Sequence, residues 1–384
     1  MKMPIANPQK GFSLLELTIA AALGVLVILA MTSLFRTGMN TTFTVTERAE
    51  TQQNLRAAIE LMTKDLSLAG AGLPSGGLQL ANASANKIAC NQSGTCYVSG
   101  DTYPNSNYMT GIIPGFGNGV ESGATISSAP AATNDSVTSI YCDYNFPLTN
   151  FNFTFPSTTQ ASVSVINSTV SPNNILAPGG LNVGDLLLFL VSTPGNGTGS
   201  QGTSAAQTAA VVGEITGLPS NSVIDFASGD ALNFNQSQTT ANSLAYTIKN
   251  LGSSLGTGNT VSVCRLNAVT YFLQVPAAGG TVQTPRLMRQ VNGLTAVPVA
   301  DNIINLQFSY DVINSQLGTI SANQANPIAA GLSPALIQKV NMWIMGQGLL
   351  TGGKQAQSMY LASSVAARNM SFCNSYSANT TVCQ

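Results

Sequence analysis

Lys10-Gly11-Phe12-Ser13-Leu14-Leu15-Glu16-Leu17 opens an apolar run that reaches Phe35 with no further charge and ends at Arg36. Leu17 to Phe35 makes 19 residues, within the ~17–25 that a helix needs to span a bilayer. Lys2 and Lys10 precede the run. Flanking cations of that kind hold the amino terminus in the cytoplasm and send the following chain outward. A cleaved secretory signal fits badly, because its apolar region covers only ~7–15 residues and ends in a small-residue cleavage site. A plain signal anchor fits the length but gives Glu16 no role. A carboxylate at that depth in lipid costs roughly 2.5–3.5 kcal/mol on insertion scales. Glu16 is therefore a functional candidate that requires a partner.

Beyond the span, Gly38, Asn40 and the β-branched stretch Thr41-Thr42-Phe43-Thr44-Val45-Thr46 are poor helix formers. They predict a flexible or kinked joint. Helical character returns from Glu47 to Ala69, where Leu55, Ile59, Met62, Leu66 and Ala69 recur at spacings of three and four. Arg48, Gln52, Arg56, Glu60 and Lys64 cover the other faces, and Gly70, Gly72 and Pro74 end the helix. A straight helix from Phe12 to Ala69 would be about 87 Å long.

Composition narrows the classes of function. The chain has 384 residues, 14 Lys+Arg, 15 Asp+Glu and no His, and 8% of its residues are charged, against roughly 25% in ordinary soluble domains. Its hydrophobic share of 44% excludes a disordered chain. A net charge of -1 argues against nucleic-acid binding, which needs cations to displace counterions from phosphates. The lack of His removes imidazole as a base or metal ligand. With 36 Gly and much Ser, Thr and Asn, the remainder suits an exported, β-rich surface protein.

After Pro74 the helical period disappears. Candidate strands are Val137–Cys142, Phe151–Phe155, Ser162–Ile166, Asp185–Val191, Ala209–Ile215, Leu244–Lys249, Thr260–Arg265, Val269–Val275, Arg286–Gln290, Ile303–Tyr310 and Lys339–Met345. The polar stretches Ser75–Ala132 and Gly195–Gly202 read as loops. The fold class is α+β: a long N-terminal helix, its first half spanning a membrane, packed on a β-rich head.

The segment Lys10-Gly11-Phe12-Ser13-Leu14-Leu15-Glu16-Leu17 resembles the class III signal of type IV prepilins and pseudopilins. The resemblance implies cleavage between Gly11 and Phe12 by the prepilin peptidase and N-methylation of Phe12. Glu16 then becomes the fifth residue of the mature chain, and its implied partner is the terminal amine of a neighbouring subunit. Further stretches resemble PilW-like minor pilins: Asn134–Thr138, Val183–Phe189, Val269–Leu273, Pro285–Arg289, Asp301–Tyr310, Lys339–Met345 and Ser364–Asn369. Residues 75–132 match nothing in that family. The implied organisation is a leader at 1–11, a pilin helix at 12–70 with its membrane half at about 14–35, a variable β-rich part at 71–245, and a C-terminal β-rich part at 246–384.

Six cysteines, Cys90, Cys96, Cys142, Cys264, Cys373 and Cys383, all lie beyond the span, on the side where disulfides form. Six allow 15 pairings. Closeness in sequence favours Cys90–Cys96 and Cys373–Cys383, which leaves Cys142–Cys264; free buried thiols are the rival. No Cys-x-x-Cys spacing accompanies them, so no metal is expected. Gly348–Lys354 resembles a phosphate-binding loop, but Gln355 stands where Ser or Thr should hold Mg²⁺. A hairpin turn followed by a strand is the better reading. Asp143 and Asn145 lack the rest of a calcium loop, and Asp225 and Asp230 read as solvated turn residues, with contact to a cation in a loop as the rival. Tyr97, Tyr103 and Tyr108 are candidates for contact with a ligand or surface. No catalytic constellation and no cofactor site emerges.

The resemblance thus implies a non-enzymatic minor pilin of a type IV pilus, which waits in the inner membrane with its head in the periplasm. It then helps to prime assembly and occupies the pilus, with the tip as a possible place. Its partners would be the prepilin peptidase, other minor pilins, the major pilin and the inner membrane, without nucleic acid. The rivals are a J-type pseudopilin of a type II secretion system, for which the chain is long, and a pilus-tip adhesin.

Overall fold

The computed structural model describes residue 11 and residues 13–74, 77–81, 108–118, 120–122, 125–127, 134–167, 169–193, 207–251, 260–275, 285–314, 319–348 and 358–370. A single helix, α1 (Leu14–Ser67), leads the chain. It is followed by β1 (Leu78–Gln79), β2 (Tyr108–Met109), β3 (Ile112–Gly115), β4 (Val120–Ser122), β5 (Thr125–Ser127), β6 (Ser136–Asp143), β7 (Phe151–Ser157) and β8 (Gln160–Val165). Next come β9 (Leu186–Thr193), β10 (Gln207–Glu214), β11 (Gly217–Ser220), β12 (Val223–Asp225), α2 (Leu244–Leu251) and β13 (Thr260–Val275). The chain continues with β14 (Arg286–Val291), β15 (Val297–Ala300), β16 (Ile303–Asn314), β17 (Thr319–Gln324), β18 (Ile337–Gln347) and β19 (Ser358–Ala366).

Helix α1 is unbroken through the stretch expected to be a joint. The Thr37, Thr41, Thr42 and Thr44 hydroxyls donate to the carbonyls of Ser33, Thr37, Gly38 and Asn40 at 2.8–3.0 Å. Turned back onto their own helix, these hydroxyls need no outside partner, and the weak propensity of the stretch does not interrupt it. The 54 residues of α1 correspond to about 81 Å.

The strands form four sheets among the described residues: a two-stranded ribbon β1-β2, a nine-stranded sheet, and four-stranded sheets β11-β12-β8-β7 and β17-β16-β18-β19. The long strand β13 organises the nine-stranded sheet. One of its edges takes β9 along Thr260–Leu266 and then β14 along Val269–Gln274. The opposite edge takes β6 along Arg265–Tyr271 and β4 along Leu273–Val275. Where β9 gives way to β14, the Asn292 side chain fills the gap: its Oδ1 accepts from Ala268 N–H at 2.8 Å, and its Nδ2 donates to the Leu266 carbonyl at 3.1 Å. The two strands expected at Thr260–Arg265 and Val269–Val275 are therefore one. β13 is paired on both sides with strands that precede residue 245, so its sheet draws on chain from either side of 245/246.

Two further expectations change. Leu244–Lys249 belongs to α2, not to a strand. Ser243 starts the helix, with its Oγ accepting from Tyr246 N–H at 3.0 Å, and Leu244, Ala245 and Ile248 form the buried stripe. The stretch Ser75–Ala132 is not loop throughout, because its described residues contribute β1 to β5. The stretch Gly195–Gly202, expected to be a loop, and most of Gly348–Lys354 lie outside the described residues, and β19 follows the latter, antiparallel to β18.

Among the described residues three larger cores result. The first lies between the second half of α1, the β13–β14 region and the sheet β17-β16-β18-β19. It buries Leu55, Ile59, Met62, Leu66 and Ala69, the stripe that their spacing announces. The second is aromatic, with Phe189 meeting Phe153, Phe155 and Phe226 edge-on at centroid distances of 5.4–6.1 Å. The third gathers Leu78, Met109, Ile140, Leu186 and Leu188 around Cys142 and Cys264.

Candidate functional site: the N-terminal helix and its anchorage

Helix α1 has two unlike halves. From Leu14 to Val45 its large apolar side chains, among them Leu17, Leu26, Ile28, Leu34 and Phe35, are exposed in the isolated chain. An 18-residue window there has mean hydropathy 2.5 with none of it buried. By length and composition this helix is compatible with a single-pass membrane anchor. From Thr51 onward α1 becomes part of the head.

Gly11 is exposed, and Phe12 lies outside the described residues. Glu16 sits in the first turn of α1, where it closes a capping box. The Ser13 N–H donates to Glu16 Oε2 at 3.3 Å, and the Leu15 N–H donates to Ser13 Oγ at 3.2 Å. The Ser13-x-x-Glu16 spacing spelled that cap in the sequence, although the resemblance pointed only to a partner on another subunit. A carboxylate here also faces the positive end of the helix dipole. It can accept further bonds, since each oxygen has more than one acceptor site.

The other half is fastened by Asp65, whose side chain is 3% exposed. Three strands converge on it. Tyr141 of β6 donates to Oδ1 at 3.0 Å, Tyr271 of β13 donates to Oδ2 at 2.6 Å, and Arg289 of β14 donates to Oδ2 through Nε at 2.8 Å. The Ser139 hydroxyl adds a bond to the Asp65 carbonyl at 2.8 Å. Burial, reinforced by the charge of Asp65, pushes the Tyr141 hydroxyl up to about 12 and raises Tyr271 as well. Burial opposes the charge on Arg289, but its bond to Asp65 and that carboxylate's charge outweigh it and raise the pKa. The buried carboxylate therefore meets a cation and two neutral hydroxyl donors, which is what a charge in the interior requires.

Past the helix, Gly70 and Gly72 adopt φ of 82° and 75°, conformations open to glycine and strained for other residues. The chain then lies along β6: Gly70 N–H donates to the Ile140 carbonyl and Cys142 N–H to the Ala71 carbonyl, each at 2.8 Å. A Cβ on Gly72 would stand 2.5 Å from Cys142 Sγ. Cys142 of β6 is joined to Cys264 of β13 by a disulfide across 122 positions. Cys90, Cys96, Cys373 and Cys383, and with them the two short-range pairings, lie outside the described residues.

The remaining candidates serve local structure. Asp143 pairs with Arg265 at 2.6 Å and accepts from Asn145 N–H at 2.9 Å. Asp225 accepts from Gln160 Nε2 at 2.8 Å. Asp230, expected in solvent, is buried and accepts from the N–H groups of Phe234 and Asn235. It closes a turn beside Glu214, whose carboxyl burial pushes up to about 7. No cluster of three or more His, Cys, Asp or Glu side chains forms among the described residues. Tyr108 lies in β2, while Tyr97 and Tyr103 are outside the described residues.

Comparison with protein-family models, with curated proteins and with solved structures finds no match.

Proposed function

We propose that the chain is a type IV prepilin and that its mature form acts as a PilW-like minor pilin without enzymatic activity. In this reading, the prepilin peptidase removes residues 1–11 and methylates Phe12. The apolar half of α1 holds the protein in the inner membrane with its head in the periplasm. From there the helix transfers into a bundle with other minor pilins and the major pilin, and the complex primes the pilus.

One observation carries this reading. A single 54-residue helix is bare and apolar over its first half, while its second half is locked into the head through Asp65. A helix used only to tether a domain to a membrane needs no rigid continuation, and a first-turn carboxylate serves it only as a cap. A helix that must carry a head into a filament needs both a stiff link and a site for subunit register.

Glu16 tests it. Glu16→Gln, expressed in a strain lacking the native copy, keeps size and polarity but removes the charge. Membrane insertion and the folded head are expected to remain, with pili per cell reduced by about tenfold or more, in line with the loss of a charge pair in an apolar bundle. Wild-type numbers of pili would show that no charge pair forms at Glu16.

A further inference from the structure

Across the outer face of the sheet β17-β16-β18-β19 runs a groove of about 670 Å³, within the range of small-ligand sites. Two neighbouring rungs of the sheet form its floor. Gln307, Trp343 and Ala362 stand opposite one another on β16, β18 and β19, and Ser309, Asn341 and Ser364 form the next rung. The Trp343 indole is stacked on Tyr360, with centroids 6.4 Å apart and planes 25° from parallel. Asn341 is held by bonds from its Nδ2 to Asp311 Oδ1 and Asn323 Oδ1, both at 3.1 Å. At one end stands Asp135, which is 5% exposed. Its Oδ1 accepts from Gly117 N–H at 2.8 Å and its Oδ2 from Phe308 N–H at 2.9 Å. Those donors fix the carboxyl plane and leave each oxygen an acceptor site.

We propose that this groove binds a neutral oligosaccharide. The lining combines an indole face, amides, hydroxyls and one fixed carboxylate, and the described lining residues include no Lys or Arg. A sugar ring offers matching chemistry, with an apolar C–H face for the indole and neighbouring hydroxyls for Asp135 and the amides. Anionic ligands are disfavoured, since Asp135 repels them, no described lining residue is a cation, and Lys339 on the next rung is paired with Asp311. A peptide adding a strand would seek an open sheet edge, whereas this groove lies over the faces of paired strands. Binding depends on the groove alone and not on the pilin reading. Only its use, attachment of a filament to a glycan-coated surface, rests on that reading.

Trp343 is the one Trp in the chain, so intrinsic fluorescence reports directly on the groove. The full chain, in lauryldimethylamine oxide micelles to avoid sugar-bearing detergents, is titrated with cellotetraose, chitotetraose, mannotetraose and N-acetyllactosamine. Sialyllactose, a heparin hexasaccharide and an uncharged β-strand-forming octapeptide serve as comparison probes. The expected result is a saturable shift of Trp343 emission with at least one neutral sugar, weakened about tenfold or more, or ~1.4 kcal/mol, by Ala362→Arg. Ala362 is exposed, so that variant should keep the head folded, which its melting curve checks. Saturation by none of the neutral sugars, tighter binding of an anionic or peptide probe, or unchanged sugar binding by a folded Ala362→Arg protein would each overturn the proposal. A processed chain with a failed sugar titration would remove the glycan site and leave the pilin reading intact.

Discussion

Asp65→Ala is expected to destabilise the head by about 3–5 kcal/mol, the usual cost of removing one partner from a buried ion pair. The Arg289 guanidinium would remain in the interior without its carboxylate, and the Tyr141 and Tyr271 hydroxyls would lose their acceptor. Tyr141→Phe and Tyr271→Phe each remove one bond to a charged group and should cost about 1.5–3 kcal/mol. Urea unfolding of the full chain in micelles reads these differences directly. A loss below about 1 kcal/mol for Asp65→Ala would place it among ordinary surface substitutions and would show that the cluster does not fasten the helix. On the proposed function, a loosened second half of α1 turns a rigid lever into a tether.

Removing the Cys142–Cys264 disulfide as Cys142→Ala with Cys264→Ala is expected to cost about 2–5 kcal/mol. The bond closes 122 positions of chain, and long loops lie at the upper end of the chain-entropy scale. Both cysteines are buried in the core beneath β1 and β10, so a reductant reaches the bond only after the sheet opens. Alkylation and peptide mapping of native protein should find both sulfurs blocked to alkylation until the chain is denatured and reduced. A double variant as stable as the parent would mean that the crosslink adds nothing to the packing of β6 against β13.

Several of these elements could be read from single-chain patterns, because they depend on local periods. The apolar run to Phe35 and the stripe Leu55-Ile59-Met62-Leu66-Ala69 needed no long-range knowledge. The same holds for most strand cores, such as Lys339–Met345 within β18. Short elements were harder. Leu244–Lys249 contains β-branched residues and spans under two helical turns, and only the Ser243 cap distinguished it from a strand. Thr260–Arg265 and Val269–Val275 read as two strands, yet the break between them belongs to the partners of β13, β9 and β14, which meet there. The Asp65 cluster was out of reach because its donors lie 76, 206 and 224 positions away. A clue existed: Asp65 shares a face with Met62 and Ala69, an acid set within an apolar stripe. The groove around Trp343 was equally hidden, since alternation tells which residues share a face but not which strands lie side by side.

The most direct test is the amino terminus of the mature protein. Intact-mass and N-terminal peptide analysis of the chain, recovered from membranes and from sheared filaments, should find residues 1–11 gone and Phe12 as the first residue, carrying one added methyl group. The leader should persist in a strain without prepilin peptidase. A first residue between Ala30 and Ser33 would mean an ordinary secretory signal, and an intact Met1 in the wild-type strain would mean a plain anchor. Either would contradict the pilin account.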